Sequence, residues 1–114
     1  MAYESDVPAA AAENRVFQAL ADPSRRAIFQ VLTRGEAAVK DLTARFDISQ
    51  PAVSQHLATL KKAGLVRGRR EGRSVVYCVE PRGMKPLIDW IEHYRGFWPE
   101  HVGRLETLLE KMDE

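Results

Sequence analysis

Residues 39–79, VKDLTARFDISQPAVSQHLATLKKAGLVRGRREGRSVVYCV, constrain this chain more than any other stretch. Two short amphipathic segments flank a tight turn at Asp47-Ile48-Ser49, and two strand-like runs then meet at a basic tip. The first segment, Val39 to Phe46, places Val39, Leu42 and Phe46 at helical three-to-four spacing. The second, residues 50–62, places Val53, Leu57 and Leu60 at i, i+4 and i+7, which turns one stripe inward and leaves Gln50, Pro51, Ser54, Gln55 and Thr59 outward. Ser49 is a capping residue for it, and Ala63-Gly64 stops it after Lys61 and Lys62, cations suited to a helix C-terminus. Leu65–Arg70 and Ser74–Val79 read as strands joined through Glu71-Gly72-Arg73. A chain with this order of elements can lay one helix in the DNA major groove while the adjacent hairpin grips phosphates.

Net charge is only +1, but its distribution is uneven. Residues 1–48 sum to −1, residues 49–83 to +5 and residues 84–114 to −3, so positive charge concentrates on the helix and ribbon. The local field, not the total, attracts a polyanion. No apolar run approaches the ~18–20 residues of a membrane span. The N-terminal stretch MAYESDVPAAAAENR has no basic start followed by an apolar run, so no secretory signal is expected, and one cysteine fits a reducing cytoplasm.

The remaining elements are helical. Residues 1–7 are expected to form a flexible arm, followed by a helix over residues 8–20 with Val16, Phe17 and Leu20 on one face. Asp22-Pro23 opens a second helix, with a capping carboxylate followed by proline at the first helical position, and Gly35 ends it. Ala38, where the Val39 helix starts, offers no side-chain acceptor for a cap. Beyond Pro81, apolar residues recur at helical intervals from Met84 to Met112, through Ile88, Ile91, Tyr94, Trp98, Val102 and Leu105. Their phase persists across Pro99, which predicts one kinked helix or two nearly collinear ones. The resulting fold class is mainly α with a small β-hairpin, five to six helices in one domain over residues 8–114. The helix-turn-helix spans 39–62 and the wing 65–79.

On DNA, Gln50 and Gln55 could bond adenine bidentately, Ser54 suits several bases, and the Pro51 ring could touch a thymine methyl. Ser49, Thr59 and Lys62 extend that face, and His56 lies one step from the core-facing row. Arg67, Arg69, Arg70 and Arg73 read as phosphate or minor-groove ligands. Val16, Phe17 and Leu20, with the stripe beyond Pro81, offer more apolar surface than a core this small needs. Two such elements are material for an isologous interface.

SQPAVSQHLATLKKAGLV followed by RREGRSVVYCV resembles the signature of the ArsR/SmtB family of winged helix-turn-helix repressors. ALADPSRRAIFQVL is similar to that family's preceding helices, and DWIEHYRGFW to the last helix of an aromatic-tailed subgroup. The resemblance covers roughly residues 13–112. It implies a homodimer joined through its first and last helices (8–20 and 83–112), repression by occupancy of an operator, and release by an inducer.

The family's metal sensors carry a Cys-x-Cys pair where this chain reads Ala38-Val39-Lys40-Asp41-Leu42, so no thiolates are available there. Asp89, Glu92, His93 and His101 provide potential ligands near the C-terminus, but an Asp-x-His opening is absent and the histidines are eight residues apart. A metal-responsive repressor using those ligands is one alternative, and a winged-helix module binding an acidic protein is another. The favoured reading has double-stranded DNA and a second copy of the chain as partners, no metal or other cofactor, no membrane association, and an unspecified inducer. No Ser/His/Asp or Cys/His constellation, phosphate loop or carboxylate pair indicates an enzyme.

Overall fold

The structure, a computed structural model, describes residues 7–113, with the side chains of residues 7–10, Trp98, Val102 and Asp113 left aside. Residues 1–6, most of the expected arm, lie outside the described residues. Helix α1 spans Val7–Ala21 and α2 spans Pro23–Arg34. Between them Asp22 is extended, and its carboxylate accepts the Arg25 backbone N–H at 2.9 Å. That bond is the main reason its carboxyl sits below the usual carboxylate range. Arg25 and Arg26 reach back to the last turn of α1, donating to the carbonyls of Gln18, Ala19 and Leu20. They satisfy acceptors that the helix end leaves open.

A two-residue strand, β1 (Ala37–Ala38), precedes α3 (Val39–Phe46). Sequence patterning gave no sign of this strand. It explains how α3 starts without a side-chain cap, because pairing of Ala37 with Tyr77 and Ala38 with Val76 holds the entering chain. Asp47 then turns the backbone at φ 51°, the one non-glycine in the left-handed region among the described residues.

Helix α4 (Gln50–Lys62) begins under the Ser49 cap, whose Oγ accepts the Ala52 N–H at 3.2 Å. It ends in a paired turn, with the Gly64 N–H on the Lys61 carbonyl and the Leu65 N–H on the Leu60 carbonyl. That closure needs a left-handed residue after the cap, and Gly64 supplies it at φ +79°. Strands β2 (Val66–Glu71) and β3 (Ser74–Val79) form the hairpin, and the sheet order is β1-β3-β2. Glu71 pairs with Ser74, so the loop is only Gly72-Arg73, with Gly72 at φ +64°.

The core lies where α1, α2, α3 and α4 meet the base of the sheet. Ile28, Leu42, Val53, Leu57, Leu60, Leu65 and Val16 are its fully buried large side chains. Val16, expected at a subunit interface, is therefore interior: α1 turns Val16 and Ala19 inward and leaves Phe17 outward. Leu20 is half-buried against the same core.

After a 3-10 turn at Pro81–Met84 come α5 (Lys85–His93) and α6 (Trp98–Asp113). Of the two expected outcomes, one kinked helix or two helices, the chain forms two, separated by a short turn at residues 94–97. Pro99 has no N–H for the carbonyl four residues back and its ring would strike that carbonyl, so the chain closes i→i+3 turns and restarts. Pro99 then occupies the first turn of α6, where it is tolerated. Helix α6 runs off the body, and the chain measures 51 × 46 × 20 Å.

Candidate nucleic-acid interface

Burial of Val53, Leu57 and Leu60 fixes the rotation of α4 and so decides what it displays. Gln50, Pro51, Ser54, Gln55 and Lys62 are exposed on the opposite side. Thr59 is half-buried and its hydroxyl donates to the Gln55 carbonyl at 3.2 Å, while the Ser49 hydroxyl is engaged as the cap. The result is a stripe of amides, a hydroxyl and a cation, short or planar enough to meet base edges.

His56, expected in the contact set, sits at the edge of this stripe. Its ring is half-buried, with Nδ1 shut from solvent and without a hydrogen-bond partner among the described residues, and it lies close enough to Asp22 to help lower that carboxyl. It therefore faces the start of α2 and not the side that carries Gln55.

The hairpin sorts its arginines by face. Directly paired residues project to the same side of a sheet and successive ones alternate. Val66, Tyr77, Val79 and Ala37 pack on the core, so Arg67, Arg69, Val76 and Cys78 lie on the outer face. There Arg69 forms a two-pronged pair with Glu36, both bonds at 2.7 Å, and a third contact with Glu71 at 3.1 Å. Glu36 and Arg69 lie 33 residues apart in sequence. The pair holds the Glu36 carboxyl below its ordinary range and raises the Arg69 guanidinium further. Arg67 donates to the Cys78 sulfur at 3.3 Å and contacts Glu80 at 3.3 Å. Arg67 and Arg69, expected among the phosphate ligands, are thus both paired with carboxylates on the face away from α4.

Arg70 and Arg73 are exposed at the tip and have no ion pair or hydrogen bond among the described residues. Arg73 and Ser74 line a groove shared with Lys40 at the start of α3 and with Gln50 and Ser54 of α4. This groove brings the recognition stripe and the wing tip together. Lys40 was missed in the sequence, although an exposed cation in the first turn of the preceding helix was a signal for it.

The aromatic residues connect helices. Phe17 meets Trp90 edge-on at 5.5 Å, and Trp90 meets Tyr94 at 5.0 Å, which joins α1 to α5. Phe17, Ile88, Ile91, Tyr94, Phe97 and, on α6, Leu105, Leu108, Leu109 and Met112 remain substantially exposed. Trp98 and Val102, also expected at the interface, have side chains outside the described residues. The potential metal ligands are dispersed. Asp89 pairs with Lys85 and Glu92 with Arg95, His93 packs on Tyr94, and His101 stacks on Phe97 at 3.8 Å. No group of three such side chains gathers among the described residues.

A helix-turn-helix domain family model matches residues 20–69. The HTH-type transcriptional regulator Rv2034 of Mycobacterium tuberculosis is 47% identical over 97 residues, which span 85% of this chain and 88% of that protein. The transcriptional repressor SdpR of Bacillus subtilis is 33% identical over 81 residues, spanning 71% and 90%. A crystal structure of an ArsR family transcriptional regulator superposes with a TM-score of 0.67 at 34% identity, over 75% of this chain and 89% of that one. With the α3–turn–α4 geometry and the wing in place, these likenesses are decisive: the chain belongs to the ArsR/SmtB family of winged helix-turn-helix transcriptional regulators.

Proposed function

We propose that the protein is a repressor that occupies an inverted-repeat operator as a homodimer, reading bases with α4 and holding backbone phosphates with the wing tip. The observation that carries this reading is the groove that Gln50 and Ser54 line together with Arg73, which has no ion pair among the described residues. Groups able to read bases and an exposed cation lie together there, the two kinds of contact that specific binding combines. Ser49, Pro51, Gln55, Thr59, Lys62 and Arg70 complete the contact set. An exposed face of amides and hydroxyls also favours DNA over an acidic protein partner, which would call for apolar anchors on α4.

The dimer is supported by exposed apolar surface: Phe17 on α1, Ile88 and Ile91 on α5, and Leu105 on α6. Two copies related by a two-fold axis would bury one patch against the other and present two α4 helices to one face of the duplex. The cytoplasm, where bacterial DNA is held, is the compartment this role requires. Among the described residues no helix is long and apolar enough to cross a membrane.

Selection of bound duplexes from a random pool tests the proposal. The expected product is an inverted repeat with half-site centres about 10–10.5 base pairs apart or a multiple of that. Recovery of unrelated or single half-sites, or a monomer by light scattering at binding concentrations, would reject it.

A further inference from the structure

On the side of α4 away from the wing, a cleft opens between α1, the start of α2 and the end of α4. Arg15, Arg25 and Lys62 line it together with Gln18, Ala19 and Thr59. No carboxylate is among the described residues that line it, and the nearby Asp22 carboxylate is engaged on the Arg25 backbone N–H. Arg25 is fixed in place, its Nε donating to the Ala19 carbonyl at 2.6 Å and its Nη2 to the Gln18 carbonyl at 3.0 Å. Its Nη1 takes no part in those bonds. Arg15 and Lys62 are exposed and make no ion pair or hydrogen bond among the described residues. Three cations around one concavity, one of them pre-positioned, are a combination suited to a tetrahedral oxyanion.

We infer that this cleft binds a phosphate group, and that the group is a backbone phosphodiester of the bound duplex lying beyond the bases that α4 reads. The inference rests on the DNA-binding reading above. Its source is assigned by continuity, since Thr59 and Lys62 line both this cleft and the adjoining surface that contains Gln55. A strand leaving the recognition stripe therefore passes from Gln55 along Thr59 and Lys62 to Arg15 and Arg25. The contact would be made on the opposite side of α4 from Arg73, so each subunit would grip the duplex on both flanks of the recognition helix. A free phosphate-bearing ligand shares the same chemistry and is the competing source.

The test uses Arg15→Gln, Lys62→Gln and the double variant, all at exposed positions, and leaves Arg25 in place because it also closes α1. Affinity for a duplex recovered by selection is measured against salt concentration, beside the wing variant Arg73→Ala. The expected result is a fall in the magnitude of the salt slope of about one per cation removed, with the thermal midpoint unchanged. Trimming the outermost base pairs should weaken the parent and leave the double variant indifferent. Arg15→Gln with the parent's slope and trimming response, while Lys62→Gln and Arg73→Ala each still lose a unit, overturns the inference and leaves the DNA-binding reading intact. Salt-insensitive binding of every duplex by the parent overturns both. Inorganic phosphate that raises the parent's thermal midpoint, but not the double variant's, while the DNA slopes coincide, overturns the assignment to the duplex in favour of a free oxyanion.

Discussion

Gly83 tests whether the end of α4 and the start of the C-terminal region are locked together as closely as the structure requires. A Cβ placed on Gly83 would sit 1.8 Å from the Gly64 carbonyl oxygen, 2.5 Å from its carbon and 3.1 Å from the Leu65 Cα. Real Cβ contacts essentially never fall under 3.0 Å, so the two segments must separate by at least the 1.2 Å difference. No flexible side chain can absorb that movement, because every atom met is backbone. The carbonyl belongs to the turn that closes α4, and the next residue accepts the Glu80 N–H through its own carbonyl at 2.9 Å. Gly83→Ala should therefore cost about 3 kcal/mol, the upper end of the range for overpacked sites. For a chain of this size that lowers the thermal midpoint by roughly 10–20 °C. Urea titrations followed by circular dichroism at one fixed protein concentration measure the loss. Gly35→Ala is the control: nothing lies within 4 Å of its added Cβ, and the change should stay within about 0.5 kcal/mol of the parent. If Gly83→Ala matched that control, the close approach of the two segments would be refuted.

Arg73→Ala and Arg70→Ala should each reduce the salt slope of duplex binding by about one unit. Arg69→Ala should leave it nearly unchanged, because Glu36 already neutralises that guanidinium; equal slopes lost at Arg69 and Arg73 would contradict the sorting of the wing by face. Gln55→Ala should lower affinity for the selected sequence by roughly 1–3 kcal/mol through one base pair and spare random DNA, as measured by competition binding. The Glu36 carboxyl is held below its ordinary value of 4.5 by the hydrogen bonds from Arg69, so its contribution to stability is complete above that pH and disappears as pH falls through the lowered value. Urea midpoints of the parent should thus fall more steeply below pH 4.5 than those of Glu36→Gln, and parallel curves would dismiss the pair as a stabilising contact.

The recognition helix was legible because its determinants are local. Ser49, the three-residue apolar row and Gly64 lie within one short segment, and each constrains the backbone by itself. The hairpin was legible for the same reason, through a glycine in a two-residue loop. Contacts between distant segments were not legible. Nothing in the order of residues announces that Glu36 will meet Arg69 across the intervening strand, so strand alternation put Arg67 and Arg69 on one face without showing what they would pair with. Two alanines carry too little pattern to reveal β1. Val16 read as surplus apolar surface because its burial depends on how α1 lies over α2 and α4. At residues 94–97 the apolar phase outlasted the helix. Periodicity records which side faces inward, whereas Pro99 and the preceding Gly96 decide whether the backbone can continue.

The pairing of β2 with β3 sets charge as well as shape. Inserting one residue into β2 would exchange its inward and outward sets, driving Arg67 and Arg69 toward the hydrophobic interior and stranding Val66 in water. The penalty for burying two cations forbids that arrangement as firmly as any loss of packing. The tip cations consequently keep a fixed bearing on α4, and the spacing between wing and recognition helix can vary among related chains only by changes that preserve this parity.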